Sequence, residues 1–217
     1  MPVYLIENNL GVWQIDESFD ELCARFSGPE AYIPALTGLT SNKRHIERLA
    51  ARALLKEMLG REVAVNYRDN GAPCLADGSF HISVSHTKNY VAVLLDAEKR
   101  VGVDIEQRSE KVVSLAGKFI NHTQEYISCT KSSLHLLLHW SGKEAVYKLL
   151  GETGVIFSRQ LLVKPFEPQK KGVFILEAST SRTHALFQVR YKIEEDFVVT
   201  WVQESLTVPY PPGMGGL

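Results

Sequence analysis

The chain has 217 residues, 45% of them hydrophobic, which is enough to bury a core in one domain or two small ones. With 24 basic and 25 acidic residues the formal charge is -1, which excludes a global attraction to nucleic acid and confines charge recognition to local patches. Cys23, Cys74 and Cys129 are scattered and form no Cys-x-x-Cys pair, against a disulfide framework or thiolate zinc site. There is also no basic leader and no run of about 18 apolar residues, so a cytoplasmic protein without a membrane span is expected.

The first strong element is a helix over residues 41–59, where Ile46, Leu49, Ala50, Ala53, Leu54 and Met58 recur at helical spacing between a cap at Thr40 or Ser41 and Gly60. Arg44, Arg48 and Arg52 follow four apart on a neighbouring face, either as a solvated stripe or as a row of guanidinium groups aimed at an anion. Alternation takes over from residue 80. Ile82 and Val84 face one way and Ser83 and Ser85 the other, and a second strand covers residues 89–95. After the turn at 96–100, Val101, Val103 and Ile105 oppose Gly102, Asp104 and Glu106. These three strands are expected to form a meander.

A second helix is expected over residues 132–150, with Leu134, Leu137, Leu138, Ser141, Ala145 and Leu149 on one face and Gly151 as its stop. Strands follow at 161–163, 173–176, 185–191 and 197–203. The order strand, helix, strands thus occurs twice, which predicts an α+β protein of two similar lobes, 1–108 and 109–217, each a small antiparallel sheet packed with helices. The Pro- and Gly-rich tail, 209–217, carries no functional clue.

Asp104 and Glu106 stand two apart on a strand, so both carboxylates leave the same face, a donor pair suited to a hard divalent cation. Glu144 and Lys148 lie one helical turn apart, either as a surface ion pair or as part of the same site. His135 and His139 are also four apart, but without the Glu of His-Glu-x-x-His and in a leucine-rich helix they read as packing residues.

Taken together, Gly102-Val103-Asp104-Ile105-Glu106, the later Trp140-Ser141-Gly142-Lys143-Glu144-Ala145-Val146-Tyr147-Lys148, and Ser83-Val84-Ser85-His86 resemble the signature of the phosphopantetheinyl transferases. The resemblance covers residues 40–150 and is closest to the two-lobed, surfactin-type branch, whose members carry the active site between the lobes. It implies transfer of phosphopantetheine from coenzyme A to a serine of an acyl or peptidyl carrier protein, releasing adenosine 3',5'-bisphosphate. A monomer is expected, and the charge balance and the lack of a long apolar run predict no nucleic-acid or membrane partner.

By the same resemblance Asp104, Glu106 and Glu144 hold magnesium, with manganese as a substitute. Lys148, and after it Lys143, supply positive charge to the phosphates. Glu144, and after it Glu125, take the proton of the carrier serine. Ser85 and His86 contact the phosphates of coenzyme A, and Arg48, with Arg44 and Lys43 as alternatives, anchors its nucleotide end. The pattern departs at Asn70-Gly71-Ala72-Pro73, where Ala72 replaces a family lysine, and at Gly151-Glu152-Thr153-Gly154, where a basic residue is usual. The carrier is expected on residues 112–127, through Val113, Leu115, Phe119 and Ile120 beside Lys111 and Lys118. A silent homologue that binds the carrier without modifying it is the alternative.

Overall fold

The computed structural model describes residues 3–7, 9–28, 32–33, 36, 38 and 41–204, the first five by their backbone. Thr40, one of the two expected caps, and the tail beyond residue 204 lie outside the described residues. The described chain runs β1 (Val3–Glu7), β2 (Leu10–Gln14), α1 (Phe19–Cys23), α2 (Asn42–Leu59), β3 (Val65–Tyr67), β4 (Pro73–Leu75), β5 (His81–Thr87), β6 (Tyr90–Asp96) and β7 (Val101–Gln107). It continues through α3 (Lys111–Phe119), α4 (Ser132–Leu150), α5 (Phe157–Gln160), β8 (Leu161–Val163), β9 (Lys171–Ser179), β10 (His184–Ile193) and β11 (Phe197–Gln203). This is the mixed α+β arrangement of small antiparallel sheets packed against helices that the sequence predicts.

The strands form sheets ordered β1-β2-β6-β5 and β7-β11-β10-β9-β8, with β3-β4 as a separate hairpin. The two larger sheets pack face to face. Tyr90, Ala92 and Leu94 of β6, with Leu10 and Val12, meet Val101, Val103 and Ile105 of β7 and Phe197, Val199 and Trp201 of β11. The alternate residues of β6, Val91, Val93 and Leu95, turn the other way onto Leu49, Ala50, Ala53 and Leu54 of α2. A strand buried on both faces in this way loses its polar positions, which is why β6 reads as a continuous apolar run. On the far side of the second sheet α4 contributes Leu137, Leu138, Ala145, Val146 and Leu149 to a third apolar cluster with Phe174, Leu176, Val189 and Val198.

The expected meander fails at its third strand. β7 leaves β6 and pairs antiparallel with β11, from Val101 opposite Gln203 to Gln107 opposite Phe197. Its apolar residues are needed between the sheets, while Gly102, Asp104 and Glu106 must face α4. β5 and β7 are then the outer strands of their sheets, and hydroxyls bridge them where no backbone ladder exists. Ser83 Oγ accepts from Val103 N at 3.0 Å and Thr87 Oγ1 from Gln107 N at 3.2 Å. These bonds satisfy donors that an outer strand leaves unpaired.

Candidate active site

The approach of α4 to β7 decides where the polar side chains meet. A Cβ on Gly102 would overlap the carbonyl oxygen of Ala145, so only glycine lets the helix lie this close to the strand. One turn of α4 then sits over Asp104 and Glu106. Asp104 is buried at 4% exposure, and its Oδ1 accepts from Ser85 Oγ at 2.8 Å and from Lys148 Nζ at 2.8 Å. Lys148 Nζ also donates to Ser85 Oγ at 2.8 Å and to the carbonyl of Val103 at 3.0 Å. Trp140 Nε1 donates to Glu106 Oε1 at 2.8 Å. Trp140 and Glu144 are four apart on α4, the signal that could have linked this indole to the acids.

The three carboxylates feel one another. Burial and the charge of Asp104 push Glu106 up to about 7, against the opposing pull of Trp140 and Lys148. Burial, then Asp104, also raises Glu144, and Lys148 offsets part of this. Among the described residues no three His, Cys, Asp or Glu side chains already converge as metal ligands do, because Asp104 is turned to Lys148 and Ser85. The donor set nonetheless fits a hard divalent cation. All three groups are carboxylates, two resist ionisation where they stand, and Asp104 Oδ2 is a buried oxygen with no hydrogen-bond partner.

Glu125 and Lys143 are placed differently. Lys143, fully buried, donates to Glu125 Oε2 at 2.8 Å and to the Phe119 carbonyl at 2.5 Å. Glu125 also accepts from Asn121 N and Val163 N, and its Oε1 lies 3.1 Å from His139 Nδ1. Among the described residues neither group bonds to Asp104, Glu106 or Glu144. Burial pushes Glu125 up, but the bond with His139 and the charge of Lys143 carry it below its usual range. His135 and His139 are buried in the core beside Phe166, and His135 Nδ1 accepts from Ser128 N at 2.9 Å.

A groove leads from α2 to Lys148. Arg44, Arg48 and Arg52 line one wall of a cavity of about 350 Å³, with His86 and Tyr67 at its rim and Ile82, Val84 and Val93 as its floor. The stripe is therefore not a plain solvated face. Arg48 stacks on the Tyr67 ring at 4.6 Å, and His86 Nε2 lies 3.1 Å from the buried Glu47, a carboxylate missed in the sequence. A second cavity, of about 240 Å³, shares Gly71, Pro73, Ile82 and Val84 with the first and reaches Tyr147, Lys148 and the 151–153 turn. Ala72 sits in the β3–β4 turn, where its N donates to Asn70 Oδ1, and Asn70 Nδ2 bonds Gly151 O at 3.2 Å. Ser85 stands at the inner end, buried, with its hydroxyl committed to Asp104 and Lys148 rather than to the groove.

The expected carrier surface needs correction. Phe119 and Ile120 are buried, Phe119 against Trp140 at 5.2 Å between ring centres, because they close the core beneath α3. Val113 and Leu115 are exposed, as is Tyr126, and Lys111 and Lys118 flank them.

Residues 100–202 match the model of the 4'-phosphopantetheinyl transferase superfamily. The match spans β7 to β11 with Asp104, Glu106, Glu144 and Lys148, whereas Arg44, Arg48, Ser85 and His86 precede it. No curated protein matches the chain. Among the described residues no helix is long and apolar enough to cross a membrane.

Proposed function

We propose that the protein transfers 4'-phosphopantetheine from coenzyme A to a serine of a carrier protein, as a two-lobed, surfactin-type member of the superfamily. The single observation that carries this reading is the carboxylate cluster of buried Asp104 and half-buried Glu106 and Glu144, whose Lys148 lines the end of a groove walled by arginines. Phosphoryl transfer asks for charge neutralisation and alignment more than for covalent chemistry, and this cluster supplies both.

Asp104, Glu106 and Glu144 hold the magnesium, which when bound neutralises charge on the pyrophosphate. Trp140 keeps Glu106 in place, and Ser85 does the same for Asp104. Lys148 directs its ammonium to the phosphate at which the bond breaks. Glu144, whose proton affinity burial raises, takes the proton of the carrier serine. Glu125 and Lys143 keep the helix and loop in position from within the core. Arg48 and Arg44, with Tyr67 stacked on Arg48, receive the nucleotide end, and α3 presents Val113 and Leu115 between Lys111 and Lys118 to the acidic, partly apolar face of a carrier.

The test is mass spectrometry of an apo acyl or peptidyl carrier after incubation with the protein, coenzyme A and magnesium. A phosphopantetheine mass gain that chelator abolishes is the expected result. Binding of the carrier with no gain across a panel of carriers would favour the silent homologue.

A further inference from the structure

Lys148 stands where a cation is wanted. Asp104 Oδ1 accepts from its ammonium and from Ser85, and the ammonium makes two further bonds, to Ser85 Oγ and the Val103 carbonyl. Its side chain is 29% exposed, so it reaches this position from the groove rather than from the core. Lys143, five residues earlier on the same helix, has its own buried carboxylate; Lys148 has only the site.

We infer that Lys148 is a resident counter-ion that competes with the divalent cation for Asp104, so that metal entry requires the ammonium to let go of that carboxylate and frees it toward the groove. This rests on the reading of Asp104, Glu106 and Glu144 as the metal ligands. The reason is electrostatic. A positive charge in hydrogen-bond contact with a ligand carboxylate lowers that ligand's attraction for a second cation, in a partly buried setting where solvent screens little. It also places the lysine under metal control: the same group that guards Asp104 in the metal-free protein becomes available to phosphate once metal is bound.

The competition predicts an effect opposite in sign to that of ordinary structural support. Manganese binding is measured on the full chain, without coenzyme A or carrier, from the electron paramagnetic resonance of the free ion. Lys148→Met should bind manganese roughly ten-fold more tightly than wild type, and Lys148→Gln should also bind it more tightly. Lys148→Arg, which keeps the charge, should stay near wild type. Thermal unfolding should report a larger manganese-induced rise in midpoint for the methionine and glutamine variants. Unchanged or weaker binding by both neutral variants, with wild type still binding, overturns the competition and leaves the metal reading intact. No manganese binding by any of the four proteins overturns both.

Discussion

Two charged clusters, one buried and one half-buried, share helix α4, and they are built on opposite terms. On one side Lys143 is matched to Glu125, whose oxygens also receive Asn121 N and Val163 N and face His139, so the charges are paired within the core. On the other side, one residue along, Glu144 joins Asp104 and Glu106 with one lysine among three acids, and Asp104 keeps an oxygen with no partner. A buried lysine matched to a buried carboxylate holds a fold in register, whereas three acids that share one lysine cost stability and persist for chemistry. The first cluster is thus a support, and the second is a site awaiting positive charge.

The largest effect should come from breaking the paired cluster. Glu125→Gln leaves Lys143 buried without its counter-charge, and denaturant unfolding should register a loss of about 3–5 kcal/mol. Transfer per folded molecule should survive. An unaltered stability would place Glu125 with the reactive acids.

A smaller effect should appear as pH dependence at the unpaired cluster. A carboxylate raised to about 7 contributes stability that is fully present below its usual 4.5 and is lost as pH rises through the raised value. The metal-free wild type should therefore lose about 1–3 kcal/mol relative to Glu106→Gln between those limits. The comparison with the variant matters because His135, which burial and then His139 push down to about 4, acts with opposite sign in the same range. Magnesium should erase the difference, and a flat difference across the window would mean that burial and the charge of Asp104 do not burden Glu106.

Periodicity made much of this legible. The bounds of α4, the alternation in β5 to β7 and the shared face of Asp104 and Glu106 are local consequences of residue spacing. The crossing of β7 into the second sheet was not, because a strand with one apolar and one polar face pairs equally well with either neighbour until the whole core is assembled. Within the site, Trp140 and Ser85 carry residue types that serve packing as readily as hydrogen bonding; the closeness that Gly102 allows brings Trp140 onto Glu106, and the approach of β5 to β7 brings Ser85 onto Asp104. Phe119 is a similar case. Beside exposed Val113 and Leu115 it resembles a docking residue in sequence, yet the turn of α3 carries it into the core.

The contrast between support and site is tested most directly at Asp104, where the smallest stability change should accompany the greatest loss of activity. Asp104→Ala removes one of three mutually repelling acids and leaves Lys148 near two others, so stability in denaturant should move by less than about 1 kcal/mol. Carrier modification followed by mass spectrometry on the same preparation should fall to background. Near-normal transfer by the folded variant would contradict the assignment of this cluster as the reactive centre.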